Sequence, residues 1–492
     1  MVRVAERYLE REVKLDVDDA FRVPDLDDLA PPGGVLDTVQ LTLDSTYFDT
    51  APRDLLAADV TLRCRSGGLT DTGWQLKLPS GDARTEMRLP RGEGAGVPKE
   101  LRDLTAGLRR GRGLRQLARI RTERSVYRLS DANGRLLVEV ADDRVSATTL
   151  GDTAIISTWR EIEVELADGG AGLNRTIVKR LREAGAQPST SSSKLARAVG
   201  QLVADRPSPA AAAQGCTVGD LVLAYLLEQR QGLLTGDVDL RDGSDAIHPT
   251  RVATRRWRST LRTFGALFEA ERVSALDGEL AWYAAVLGAV RDPDVLRTHL
   301  RGVIAELPDH VVLGPVANRV EQHLISEREH HRRTLLRALN GRRYYALLDA
   351  LDSWIADPPF TAAAGEPRAR AGKLAAGAQK KLDRQLRVAA SHDDVEHVHR
   401  ARKAAKRARY AFELAAPALA TKAAKRRIAK IKVIQDTLGE FQDSVVATET
   451  LLRMGIRAGT SPNENGFSYG LLYALEQQRA EAVRRRVLDK LR

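Results

Sequence analysis

Tyr8-Leu-Glu-Arg-Glu-Val-Lys-Leu15, near the start of the chain, sets Glu10, Glu12 and Lys14 two residues apart. Successive side chains of a strand point to opposite faces, so all three charges emerge on one side. The pattern returns through the first 200 residues. Val60 to Arg65 puts Arg63 and Arg65 on one face, Trp74 to Leu78 presents Lys77, and Arg84 to Leu89 presents Arg84, Glu86 and Arg88. Ile120 to Leu129 follows Arg119 and carries Arg121, and Glu161-Ile-Glu-Val-Glu-Leu166 sets three carboxylates opposite Ile162, Val164 and Leu166. A solvated face would mix Lys, Glu, Thr, Ser and Gln freely, whereas this one repeats Arg, Lys and Glu over at least five strands. A closed antiparallel barrel with a charged lumen accounts for that. Grouped carboxylates hold a hard divalent cation and Arg and Lys clamp phosphate oxygens, so the set suits a metal-bound polyphosphate and phosphoryl hydrolysis.

Beyond this stretch the chain changes character. Its 492 residues carry 77 Lys+Arg against 66 Asp+Glu, a net charge of +11. Residues 1–200 hold 31 of each sign, so the whole excess lies after residue 200, as do all nine histidines. Between the halves runs Ala204-Asp-Arg-Pro-Ser-Pro-Ala-Ala-Ala-Ala-Gln-Gly215, whose prolines oppose helix and whose small residues offer little to bury. The expected organisation is a domain at 1–203, a linker at 204–215 and a second domain at 216–492.

The second half contains a helical motif twice. His248, Arg251, Arg255, Arg258 and Arg262 are spaced by three and four, one face of a helix. His399, Arg402, Lys406 and Arg409 repeat the motif 151 residues later, and Leu287-Gly288 to Asp292 recurs as Leu438-Gly439 to Asp443 at the same offset. Two motifs in register mark an internal repeat, at about 216–350 and 367–492. Like charges on one helix face repel, so a bound polyanion is the natural reason to keep them. Residues 401–432 add 11 basic residues against Glu413 alone. Nucleic acid is the rival ligand, but only 5% of residues are aromatic and few lie among the basic positions, so base-stacking platforms are not expected.

In its N-terminal half the chain resembles the CYTH family of triphosphate tunnel metalloenzymes. The resemblance runs from Glu10-x-Glu12-x-Lys14 through Tyr47-Phe48-Asp49-Thr50, Arg63-x-Arg65, Lys77, Arg84-x-Glu86, Arg119-x-Arg121 and Asp142-Asp143 to the Glu161–Glu165 run and Ser193-Lys194. It implies an eight-stranded antiparallel barrel holding a triphosphate with Mg²⁺ or Mn²⁺. Members hydrolyse inorganic or thiamine triphosphate, or cyclise ATP. By this resemblance Glu10, Glu12, Glu163 and Glu165, with Glu161 and either Asp143 or Asp142, would hold metal. Lys14, Arg63, Arg65, Lys77, Arg84, Arg119, Arg121 and Lys194 would grip phosphates, and Glu86 would ligate a second metal or orient water. Glu10, Glu12, Lys14 and Glu86 are thus the implied catalytic set.

The second half resembles the CHAD domain, two pseudo-symmetric helical bundles that bind inorganic polyphosphate. That implies polyphosphate contacts from His248, Arg251, Arg255, Arg258, His399, Arg402, Lys406 and Arg409, with Arg332 and Arg484 as further basic positions. The expected fold class is therefore α+β, a barrel followed by an all-α domain.

Other chemistries drop out. Two cysteines exclude a disulfide scaffold and no spacing resembles a zinc site. There is no Gly-x4-Gly-Lys-Ser/Thr phosphate loop. His392-Asp-Asp-Val-Glu-His397 is read as a helix start capped by Asp393 and Asp394, not a metal site. The opening residues lack the apolar stretch of a secretion signal, so the expectation is a soluble cytoplasmic protein, with association with polyphosphate granules a further expectation, and no membrane partner. A polyphosphate-binding protein without activity is the alternative to the inorganic triphosphatase, and an adenylate cyclase or thiamine triphosphatase a further one.

Overall fold

The computed structural model describes residues 6–489 except 69–71, 81–82, 93, 95, 151–153, 168–170, 201–214, 393 and 462–464. The chain divides into two units, 1–206 and 207–492. Most of the expected linker, and Asp393, lie outside the described residues.

The first unit contains β1 (Glu6–Glu10), β2 (Glu12–Val17), β3 (Val35–Asp49), α1 (Asp54–Ala57), β4 (Thr61–Ser66), β5 (Gly73–Ser80), β6 (Ala83–Leu89) and α2 (Lys99–Leu104). It continues with β7 (Arg115–Ser130), β8 (Leu136–Thr149), β9 (Ile155–Leu166), α3 (Ala171–Glu183), β10 (Gln187–Pro188) and α4 (Lys194–Val199). All strands join one antiparallel sheet in the order β1-β6-β5-β4-β3-β7-β8-β9-β2-β10. The expected closed eight-stranded barrel is corrected: the sheet has ten strands and its ladder does not close. The run 6–17 is split at Arg11, its first half pairing with β6 and its second with β9, and the two-residue β10 adds to β2. Those two features are the surplus over eight.

The alternation read from the sequence sets the two faces. Leu15, Ile162, Val164, Val138 and Val140 form the outer face and are covered by Ile177 and Leu181 of α3. Glu12, Lys14, Glu161, Glu163 and Glu165 occupy the opposite parity, facing inward. At one end Leu195, Ala198 and Val199 of α4 pack on Tyr47, Leu117, Ile120 and Ala147. Ser193 caps α4, its Oγ accepting from the Ala196 amide at 3.0 Å.

The second unit is helical: α5 (Val218–Asp242), α6 (Ile247–Thr263), α7 (Ala270–Ala305), α8 (Val316–Leu339), α9 (Arg342–Ala356), α10 (Arg370–Ser391), α11 (Val395–Ala415), α12 (Thr421–Thr460) and α13 (Phe467–Asp489). A capping box, Thr217 with Asp220, starts α5. His248 is the second residue of α6, and Pro249 falls within its first turn, where a missing N–H costs little. Asp394 caps α11 through the Glu396 amide. The basic helices of the repeat, α6 and α11, pack against each other, and α7 and α12 carry the glycine–aspartate motifs. Helix α7 is apolar and long enough by composition to cross a membrane, but its Leu276, Leu280, Leu287, Val290 and Leu300 are buried in the bundle.

Candidate functional site

The inward face of the sheet encloses a cavity of about 200 Å³ lined by Glu10, Glu12, Lys14, Arg63, Arg65, Lys77, Arg84, Glu86, Glu163, Glu165 and Lys194. These eleven expected residues come together from β1, β2, β4, β5, β6, β9 and α4. Asp143 and Glu161 lie just behind, fully or almost fully buried.

Two expectations are corrected, and one alternative is resolved. Arg119 and Arg121 are exposed and do not line the cavity; Arg121 lies on the outer side with Asp19, Glu123 and Arg144. At that end of β7 the inward parity is apolar, because Ile120 packs on α4, so the arginines turn out. The same parity becomes charged further along, and Arg124 and Arg128 line the cavity instead. Asp142 is also on the outer face, buried against Arg160 at 2.7 and 2.9 Å, so Asp143 alone of the pair faces inward. Arg88, Arg124, Arg128, Glu139 and Tyr47 are further lining residues, of which only Arg88 and Tyr47 stood in the sequence patterns. The period-two Arg124-x-Val-x-Arg128 was the available signal for the others.

Charge inside is organised in two groups. Lys194 Nζ lies 2.8 Å from Asp143, 2.8 Å from Glu161 and 2.7 Å from Glu163. Arg124 donates to both oxygens of Asp143 at 2.7 Å and to Glu163 at 2.6 Å, and Lys14 pairs with Glu163. Burial opposes the charges of Lys14, Arg124, Asp143, Glu163 and Lys194, yet attraction prevails. The Lys194 ammonium is held well above its ordinary pKa by Asp143, Glu163 and Glu161, while Lys14, Lys194 and Arg124 hold Glu163 well below the usual carboxylate range. The second group is paired less evenly. Lys77 bonds both oxygens of Glu10 at 2.6 and 2.7 Å, but Glu165 has no salt-bridge partner among the described residues. Burial and then the neighbouring Glu10 push Glu165 up to about 7. Among the described residues Oε1 of buried Glu86 accepts no hydrogen bond, while its other oxygen accepts from Arg88 at 3.1 Å.

Asp143, Glu161 and Glu163 bring ligand oxygens within 4.8 Å of one another. Three of the chain's own cations already neutralise them. Glu10, Glu12 and Glu165 supply hard oxygen donors on one side of the cavity, Glu10 paired with Lys77, Glu12 with Lys14 at 3.2 Å and Glu165 with no cation among the described residues, a donor set that fits a divalent cation.

In the helical unit a groove of about 830 Å³ is lined by His248, Arg251, Arg255, Arg258, His399, Arg402 and Lys406, so both copies of the motif face one space. Arg262, Arg291, Lys403 and Arg407 join them. Arg409 does not: it bonds Glu413 at 2.8 Å. Arg332 and Arg484 are likewise outside the lining, Arg332 approaching Gly243 and Arg484 pairing with Glu481. Burial, then Arg402, Arg255 and Arg251, pushes Lys406 down to about 7. Burial and Arg251 push Arg255 down to about 10. His248 is lowered by burial and by Arg291, Arg255 and Arg251. Cations that depress one another's charge in this way favour an anion.

Residues 9–198 match the CYTH domain and residues 224–452 match the CHAD domain. The chain belongs to both families, a CYTH domain followed by a CHAD domain. It is similar to an uncharacterized protein of Mycobacterium tuberculosis, 36% identical over 514 residues that span 99% of this chain and 96% of the relative. PptA from Streptomyces chartreusis is 21% identical with a TM-score of 0.48, covering 56% of this chain and 99% of its own. The CHAD domain from the plant Ricinus communis is 25% identical with a TM-score of 0.45, covering 56% of this chain and 93% of its own. CYTH family members are triphosphatases or cyclases and depend on a divalent metal.

Proposed function

We propose that the CYTH domain hydrolyses inorganic triphosphate or a related short triphosphate with Mg²⁺ or Mn²⁺, and that the CHAD domain binds inorganic polyphosphate. The observation that carries the reading is the cavity, where Lys14, Arg63, Arg65, Lys77, Arg84 and Lys194 share one face with Glu10, Glu12, Glu163 and Glu165. Glu10, Glu12 and Glu165 would hold the metal, which when bound offsets phosphoryl charge. Arg63 is oriented by Gln75 at 2.5 Å and by the Tyr47 hydroxyl at 3.0 Å, which fixes its guanidinium before any anion arrives. Arg65 is steered by Ser45 at 3.3 Å. Positioned cations stabilise charge on the transferring phosphoryl group without reorganising, so electrostatics and positioning supply most of the rate. Glu86, with one oxygen unengaged, orients the attacking water and accepts its proton. In the groove, Arg251, Arg255, Arg402 and Lys406 take successive phosphates of a linear chain. The protein would work in the cytoplasm, where the groove could tether it to polyphosphate deposits.

The test is phosphate release from tripolyphosphate, ATP, thiamine triphosphate and long-chain polyphosphate, each with Mg²⁺ and Mn²⁺. Glu10→Gln with Glu12→Gln should abolish release without unfolding the protein; unchanged turnover in that variant sinks the hydrolase. Silence on every substrate with polyphosphate still bound would leave a binding protein, and 3′,5′-cyclic product from ATP would mark a cyclase.

A further inference from the structure

The turn that follows α1 ends in a helix-stop geometry usually built with glycine. The Val60 amide bonds the Leu55 carbonyl at 2.9 Å and the Asp59 amide bonds the Leu56 carbonyl at 3.0 Å, and Asp59 itself sits at φ 57°. An aspartate tolerates the left-handed region better than most residues but less readily than glycine. A side chain kept at such a position points to a task for that side chain.

The task is visible in its bonds. Both Asp59 carboxylate oxygens accept from Nη2 of Arg84, at 2.8 and 2.9 Å, and the Asp59 carbonyl accepts from Nη1 at 3.3 Å. The Ser192 hydroxyl donates to the same carboxylate at 3.1 Å, and Arg84 Nη2 also reaches the Ser192 carbonyl at 3.4 Å. Arg84, Ser192 and Ser193 all line the cavity, and Ser193 caps the helix that begins with Lys194. One turn residue outside the cavity lining thus ties a cation of β6 to the segment that delivers a second cation from α4.

We propose that Asp59 is a positioning residue for triphosphate binding, holding Arg84 and the Ser192–Lys194 segment together at the cavity mouth. This rests on the reading that the cavity takes a triphosphate. Asp59 engages Arg84 through the outer nitrogens, leaving Nε and some of the Nη1 donor capacity for phosphate. The pair is half exposed on the Asp59 side, so its contribution to global stability is small and its effect falls on the geometry of the grip.

Asp59→Gly separates the two roles, because glycine suits the backbone and removes the carboxylate. In the full-length protein, tripolyphosphate affinity by calorimetry and KM should worsen about tenfold, the loss expected when one pre-set charged contact is freed, with kcat little changed and Tm equal or higher. Asp59→Asn, which keeps the turn and the Ser192 bond, should give an intermediate loss. Asp59→Gly with wild-type Kd and KM overturns the assignment while leaving the triphosphate reading standing. Wild-type protein that neither binds nor hydrolyses tripolyphosphate overturns both.

Discussion

The guanidinium of Arg251 lies against Gly288, so closely that a Cβ on the glycine would stand 3.0 Å from Nη2. Arg251 is then received by Asp292 at 2.6 Å, four residues beyond the glycine on the same helix. Arg402, Gly439 and Asp443 repeat the arrangement more loosely, with 3.6 Å to the added Cβ and 3.9 Å between the charges. The duplicated Gly-x-x-x-Asp motif is thus a seat for the arginine of each basic stripe.

Alanine at the two seats should separate them. Each substitution favours the helix by up to about 1 kcal/mol. Gly288→Ala must also push the Arg251 head aside, so thermal denaturation should show equal or higher Tm while polyphosphate affinity drops roughly threefold, about 0.65 kcal/mol. Gly439→Ala makes only an ordinary contact and should leave affinity unchanged.

The pH dependence of the groove follows from Lys406, at about 7 in the free protein. A lysine whose folded pKa lies below its unfolded value binds fewer protons when folded, so the free protein gains stability as pH rises from about 7 to 10. Polyphosphate favours the charged amine and takes up a proton on binding, so affinity falls over the same range. Calorimetry in buffers of different ionisation enthalpy measures the uptake, and Lys406→Met should flatten both trends. His248 also faces the groove and is lowered by burial and its arginine neighbours, so a residual slope below neutrality belongs to it.

Arginines on the two faces of β7 should respond very differently to substitution. Arg124→Met leaves buried Asp143 with Lys194 alone, and Glu163 with Lys194 and Lys14, and should cost about 1.5–3 kcal/mol in denaturant titrations. Arg121→Met removes an exposed outer charge and should stay within about 0.5 kcal/mol, with phosphate release unchanged.

The adjacent acids give a second contrast. Asp142→Asn weakens the buried bond to Arg160 and should lower stability by about 1–3 kcal/mol while sparing turnover. Asp143→Asn loosens Arg124 and Lys194 together and should reduce phosphate release as well as stability.

Where charge and apolar residues alternated strictly, as at Glu12–Lys14 and Glu161–Leu166, inside and outside were legible from sequence alone. On β7 they were not, since arginines occupy both parities and the inward side changes from apolar at Ile120 to charged at Arg124. That change is imposed by α4, which fills one end of the cavity, a tertiary fact that no single strand records. Arg409 failed for a similar reason: its helical phase matches Arg258, but the nearby Glu413 captures it. The split at Arg11 left no mark in the alternation, because Glu10 and Glu12 keep their spacing across it.

That split has a mechanical consequence. Along the rest of the sheet, widening the cavity would mean breaking a row of backbone hydrogen bonds between neighbouring strands. Between Glu10 and Glu12 only the backbone of Arg11 joins a strand held by β6 to one held by β9. Rotation about that one residue would move Glu10 away from Glu12 at the cost of a single backbone bond, from the Leu166 amide to the Arg11 carbonyl at 2.9 Å, making Arg11 the compliant link of an otherwise stiff frame.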